Sequence, residues 1–267
     1  MTATMFQQPA AGQFRPAVEG IAGQITTDVT ETIKAAARRA PRSRQAAAGP
    51  SELGTPCVRR LAYKTLDWPA KPNSGTDPWA SVIGTATHAW LADAYHEENL
   101  QLGYERYLIE RRVFLPGGIS GSSDLYDRET KVNNDWKITG PDRVKKYRRD
   151  GPGQQYRVQA HLYALGMQLA GEHPETVAIT FLPRGGRIDG LHVWTEPYNP
   201  SIAVGAINRY QATRDALAAL DPERNPGRWA MFPTGDAYCS YCPFHLPGSA
   251  DLSRGCPGHQ PKNTTKE

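Results

Sequence analysis

The segment NNDWKITG, residues 133–140, reads as a strand end that carries two asparagines, an aspartate and a lysine where burial asks for Val and Ile. Successive side chains alternate across a strand, so Asp135 and Lys137 share one face and Trp136 takes the other. Two more strands precede it, ERYLIERRVFLP (105–116) and GISGSSDLYD (118–127), and the polar link around Glu129 and Thr130 joins the second of these to the third as a hairpin. With Glu129 and Thr130 at the centre of the turn, Asp124 falls directly opposite Asp135. Like charges in that position destabilise a hairpin, whereas a divalent cation between them reverses the sign, since hard Mg²⁺ or Mn²⁺ takes carboxylate oxygens. Lys137, one step along the same face, is then placed to hold a water and offset developing negative charge. The same pattern also reads as a solvated strand face. The paired asparagines predict an edge strand or a bulge.

Outward from this hairpin, the pattern is helix, helix, three strands, helix, two strands, helix, which predicts an α/β fold with a central mixed sheet. Helical spacing begins in PSELGTPCVRRLAYKTLDW (50–68), with Ser51 as expected N-cap. It resumes in SVIGTATHAWLADAYHEENLQLG (81–103), where His88, Leu91, Ala92 and Tyr95 form one inward stripe. A histidine on such a stripe is either a core residue or a ligand. The basic stretch PDRVKKYRRDGP (141–152) leads into the helix QQYRVQAHLYALGMQLAG (154–171), where Gln159 and Tyr163 share a face. A second strand pair, TVAITFLPR (176–184) and GLHVWTEPY (190–198), precedes the last helix, residues 200–220.

The chain has 267 residues, 39% hydrophobic and 22% charged, with a net charge of +4, which describes a core-forming, mildly basic protein suited to polyanionic partners. The N-terminus lacks the basic and apolar regions of an export signal, and no run approaches the roughly 18 apolar residues of a membrane span, so a cytoplasmic protein is expected. Residues 1–48 read as a loosely ordered basic arm with one short helix over 27–40, residues 49–227 as the core, 228–260 as a cysteine region and 261–267 as a tail. Arg38, Arg39, Arg42 and Arg44 make that arm basic.

Cys239 and Cys242 form a C-x-x-C half-site, Cys256 follows, and Cys57 lies far upstream. In a reducing compartment this grouping reads as a metal or cluster site. Prolines after Cys242 and Cys256 favour a cluster, and His245 and His259 keep a zinc site open.

Taken in order, Cys57 in LGTPCVRRLAY, His88 in GTATH, Asp124 in GSSDLYD, Asp135 and Lys137 in NDWK, Gln159 and Tyr163 in QAHLY, then Cys239, Cys242 and Cys256, resemble the RecB-like iron-sulfur nucleases of the PD-(D/E)XK superfamily. Within it the chain looks most like the Cas-four-like exonucleases of CRISPR loci and phage genomes, with the nuclease domain of AddB more distant; the resemblance covers roughly residues 50–260. The resemblance implies a restriction-endonuclease-like core closed by an iron-sulfur cluster. It implies that His88, Asp124, Asp135 and the carbonyl of Trp136 hold Mg²⁺ or Mn²⁺, that Lys137 is catalytic, and that Gln159 and Tyr163 line the DNA-binding side. The four cysteines would hold a [4Fe-4S] cluster that clasps the Cys57 helix to the C-terminal region. The implied activity is metal-dependent exonucleolytic hydrolysis of single-stranded or frayed DNA ends, in phage recombination or replication or in CRISPR spacer acquisition, alongside proteins of those pathways. Lys145, Lys146, Arg148 and Arg149, with Tyr147 as a stacking residue, are the expected DNA contacts, though the same residues also read as a solvated basic helix face. The alternative is a noncatalytic DNA-end-binding or scaffolding protein of the same fold.

Overall fold

The computed structural model describes residues 18–39, 48–75 and 77–260; Arg42, Arg44 and the 261–267 tail lie outside the described residues. From residue 48 onward these form one compact unit. Helix α1 (Val18–Arg39) belongs to another; at 22 residues it is longer than the short helix expected there, and Arg38 and Arg39 close its last turn.

The compact unit opens with α2 (Pro50–Leu53), α3 (Val58–Thr65) and α4 (Trp79–Leu102). Strands β1 (Tyr107–Leu115), β2 (Ile119–Asp127) and β3 (Val132–Thr139) follow, then α5 (Pro141–Asp150) and α6 (Gly153–Leu169). Strands β4 (Thr176–Pro183) and β5 (His192–Pro197) and helix α7 (Pro200–Leu220) complete the regular elements. The sheet runs β1-β2-β3-β4-β5, antiparallel except for the parallel β3–β4 pair, whose crossover is α5 and α6. The expected mixed α/β sheet is present. Among the described residues no helix is long and apolar enough to cross a membrane.

Two local expectations change. The run from residue 50 to 68 is two helices, because Pro56 cannot continue α2. The N-cap of α2 is Gly49, with Pro50 at the first helical position; the Glu52 carboxylate takes the Gly49 amide at 3.0 Å and the Ser51 hydroxyl at 2.9 Å. The third strand is also not an edge. It lies in the middle of the sheet, and its asparagines are supplied by neighbouring hydroxyls: Ser123 Oγ donates to Asn133 Oδ1 at 2.8 Å and Thr180 Oγ1 to Asn134 Oδ1 at 3.0 Å. Both amide oxygens are satisfied in this way, while Asn133 Nδ2 is buried without a protein partner.

Both faces of the sheet are covered. Ala160 and Ala164 of α6 pack with Val177, Ile179 and Phe181 of β4, and Val144 of α5 joins them. Leu91 and Tyr95 of α4 pack against Leu125, Trp136 and Leu182, which alternation puts on the opposite face. Gly166 permits the close approach of α6 to β1, since a Cβ there would stand 2.6 Å from the Val113 side chain. Beyond α7, the chain returns to α3 through an aromatic core in which Tyr63 meets Trp229 at 4.1 Å and Phe244 at 5.0 Å between ring centroids.

The hairpin register has the expected phase, with Leu125 opposite Asn134, Tyr126 opposite Asn133 and Asp127 opposite Val132. Asp127 builds the turn. Its carboxylate accepts Arg106 Nε at 2.9 Å and Nη2 at 2.8 Å, the Glu129 amide at 3.0 Å and the Thr130 hydroxyl at 2.7 Å. Burial works against the charged form, yet Arg106 and the turn donors outweigh it and hold the carboxyl below the usual carboxylate range. A depressed folded value contributes stability above the unfolded value of about 4, and that stability is lost as pH falls through the folded value. Asp127→Ala is therefore expected to cost about 2 kcal/mol in urea unfolding at neutral pH, with the gap from the parent closing as pH drops below about 4. A gap independent of pH would contradict this role.

Candidate active site

The register brings three carboxylates into one row across the sheet. Ile109 pairs with Leu125 and Arg111 with Ser123, which sets Glu110 of β1 opposite Asp124 of β2. The β2–β3 pairing ends at Leu125–Asn134; continued one step, its phase aligns Asp124 with Asp135 of β3, and the Asp124 carboxylate reaches the neighbouring Trp136 amide. Glu110 is the residue that sequence reasoning missed. Its backbone is left-handed, with φ of 47°, so the β1–β2 ladder skips it. The available signal was the β1–β2 register, which would have put a second like-charge pair beside the first.

His88 enters from α4. Its Nδ1 stands 3.5 Å from Asp124 Oδ1 and 3.8 Å from Glu110 Oε1. One ligand atom from each of His88, Glu110 and Asp124 lies within 4.8 Å of the others, the group among the described residues with the spacing of a metal site. The His88 ring meets the edge of Trp136 at 5.7 Å between centroids, and Trp136 stacks on Tyr95. The inward stripe of α4 thus sets where the imidazole sits.

Each remaining carboxylate is oriented. Asp124 Oδ2 accepts the Trp136 amide at 2.7 Å, taking the ladder position that a β2 carbonyl would otherwise fill. Asp135 is 2% exposed. Gln159 Nε2 of α6 donates to its Oδ1 at 3.1 Å, while its Oδ2 lies against the Lys137 ammonium and takes no other hydrogen bond. The Lys137 ammonium also sits 5.1 Å from the centre of the Tyr156 ring.

The electrostatics follow from crowding. Burial raises the Asp135 carboxyl, Asp124 adds to the rise, and Lys137 and His88 oppose it. Burial disfavours the charged His88 ring, but hydrogen bonds with Asp124 and Glu110 outweigh it and lift the imidazole to about 9. A proton on His88 and the Lys137 ammonium therefore balance the carboxylate row. These donors fit a hard divalent ion: nitrogen and carboxylate oxygen at ligand spacing, with one buried carboxylate oxygen held only by an ammonium.

Of the other expected site residues, Trp136 lies between Asp135 and Lys137 as required, and Tyr163 is buried against Leu108, Val113, Tyr126 and Met167, one turn beyond Gln159. On α5, Lys145 pairs with Asp142, Arg149 with Asp150, and Arg148 donates to the carbonyls of Gly190 and Leu191. Tyr147 is not an exposed stacking residue; it is half-buried and stacks on Phe181 at 4.3 Å. Lys146 Nζ donates to the Tyr238 hydroxyl at 3.0 Å.

A second centre gathers the cysteines. Cys57, Cys239, Cys242 and Cys256 are unbridged and line one cavity together with Arg60, Tyr63, His245 and His259. The long spacer before Cys256 is absorbed by a turn and a bridge that pairs His245 with Cys256. Donors point at the sulfurs: the Arg60 amide to Cys57 Sγ at 3.4 Å, the His259 amide to Cys239 Sγ at 3.2 Å and Arg59 Nη1 to Cys256 Sγ at 3.7 Å. Burial raises the Cys242 thiol. Among the described residues, no three of these cysteines and histidines come within 4.8 Å of one another.

No family model matches the chain, and no curated protein matches it either. Among solved structures it is similar to a phage related exonuclease from Haemophilus somnus 129PT, at 13% identity and a TM-score of 0.45, over 62% of this chain and 82% of that one. It is also similar to an alkaline exonuclease, LHK-Exo, from Laribacter hongkongensis, at 15% identity and a TM-score of 0.43, over 68% of this chain and 96% of that one. LHK-Exo in complex with dAMP gives 14% identity and a TM-score of 0.41. Likenesses of this size assign no activity to the present chain.

Proposed function

We propose that this chain is a divalent-metal-dependent DNA exonuclease that hydrolyses phosphodiester bonds at single-stranded or frayed ends. The observation that carries the reading is the cross-strand row of Glu110, Asp124 and Asp135, closed by His88 on one side and by Lys137 on the other. His88, Asp124, Asp135 and the Trp136 carbonyl would hold Mg²⁺ or Mn²⁺, with Glu110 joining them. When bound, such an ion activates water at neutral pH and offsets charge on the phosphate. The Trp136 amide fixes the Asp124 carboxylate, and Gln159 fixes that of Asp135, so neither has to reorganise. Lys137 offers an ammonium to a phosphoryl oxygen or to the attacking water. To serve as a ligand His88 would have to release its proton, which would make ion binding weaker in acid.

The four cysteines are proposed to hold a [4Fe-4S] cluster that clasps α3 to the C-terminal region. Their convergence on one cavity and the N–H donors on three sulfurs support this. Four unbridged thiols suit a reducing, cytoplasmic setting. On the motif resemblance, the biological context is phage recombination or replication, or CRISPR spacer acquisition.

The test is digestion of end-labelled single-stranded DNA by anaerobically purified protein with Mn²⁺ or Mg²⁺. Shortening of the labelled strand that stops on chelation is the expected result. DNA binding without shortening would make the protein a binding or scaffolding module instead.

A further inference from the structure

The C-x-x-C turn carries a tyrosine immediately before each of its cysteines, and both rings face outward: Tyr238 is 61% and Tyr241 68% exposed. Tyr238 is held in a left-handed backbone, with φ of 51°, a conformation rare for an aromatic residue. Across from them, Arg143 and Lys146 are exposed and share one face of α5, three positions apart. The Arg143 guanidinium lies 4.8 Å from the centre of the Tyr241 ring and the Lys146 ammonium 5.0 Å from that of Tyr238. Two rings and two cations thus form one patch that joins the cysteine turn to the helix directly after β3.

The patch connects to the site through contacts. Lys137 lies over Tyr156, Tyr156 meets Tyr147 at 5.9 Å, and Tyr147 directly follows Lys146 on α5. Exposed ring faces beside fixed cations match a strand whose bases are unpaired and whose backbone is anionic; a duplex hides its base faces. We infer that Tyr238 and Tyr241, with Arg143 and Lys146, form a stacking platform that binds single-stranded DNA on its way to the carboxylate row. This rests on the nuclease reading and narrows its substrate to the single strand. The cysteine centre then serves the substrate too, because its turn sets the two rings.

The experiment measures binding of a fluorescein-labelled oligothymidine of about 20 nucleotides, and of a matched duplex, to the full chain in chelator. It compares the parent with Tyr238→Leu, Tyr241→Leu, Tyr241→Phe and the pair Arg143→Gln with Lys146→Gln. Turnover of bis(p-nitrophenyl) phosphate with Mn²⁺ serves as a separate readout of the carboxylate row. Each leucine variant should weaken oligothymidine binding about tenfold or more, with little change for duplex, while the phenylalanine variant retains affinity. The α5 pair should flatten the salt dependence by roughly one to one and a half log units per log of salt. Small-ester turnover should stay at the parent level in the three tyrosine variants. Oligothymidine binding unchanged in the leucine variants, or duplex weakened equally, overturns the platform and leaves the nuclease reading standing. Oligothymidine binding weakened in the leucine variants, with a parent that turns over neither DNA nor ester, supports the platform and sinks the nuclease reading. Should the leucine variants fail to fold, the α5 pair carries the test: an unchanged salt slope and affinity would overturn it.

Discussion

Asp135→Asn is expected to lower the rate of DNA digestion by about a thousandfold or more, and Lys137→Ala by a comparable factor, with the fold intact in both. Asp135 is the buried carboxylate on which Gln159 and Lys137 converge, and it stands in the row with Asp124 and Glu110. Replacing it with the amide keeps the shape, removes one charge from a crowded set and leaves the Gln159 contact a partner. Stability should therefore hold or rise slightly while activity collapses. The two changes made together should cost about as much as either alone, because the groups act as a unit. A variant that still digests DNA within tenfold of the parent would remove Asp135 from the chemistry. Urea unfolding checks the first half of the expectation and initial rates on labelled DNA the second.

Cys242→Ser should have the largest effect on stability. Cys242 is buried in the aromatic core with Tyr63, Trp229, Phe232 and Phe244, and it lines the cavity where Cys57 of the α3 N-terminus meets the C-terminal cysteines. A cluster there ties residues far apart in the chain, and a cross-link over so long a loop is worth about 4 kcal/mol or more. The variant should purify colourless and unfold at lower temperature, where the parent is brown with broad visible absorbance. A colourless parent that contains zinc and loses the same stability would replace the cluster with zinc and keep the clasp. A variant as stable as the parent would remove the clasp altogether. The aromatic contacts, with Tyr63 against Trp229 at 4.1 Å, keep part of the C-terminal region in place without any metal.

Much of the site was legible because it depends on two local rules. Alternation put Asp135 and Lys137 on one face, and the turn centred on Glu129 and Thr130 set the phase that aligns Asp124 with them. His88 was readable from the α4 stripe for the same kind of reason. What failed depended on partners distant in sequence. Asn133 and Asn134 suggested an edge strand because nothing near them in the chain supplies the hydroxyls of Ser123 and Thr180. Glu110 needed the register of a second hairpin and a left-handed residue inside a strand, which no local pattern announces. Tyr147 looked like a surface aromatic within a basic run, yet it faces inward because Phe181 of β4 lies beneath it. Tyr238 and Tyr241, by contrast, are exposed because the turn that carries the cysteines points them outward.

The central claim is that the carboxylate row with His88 is a divalent-metal site, and titration of the anaerobic protein with Mn²⁺, followed by the loss of free-ion electron paramagnetic resonance signal, tests it without reference to activity. The parent should bind Mn²⁺, more weakly as pH falls because His88 must release its proton, and Asp124→Asn should abolish binding. No binding by the parent, or equal binding by parent and Asp124→Asn, would contradict the account.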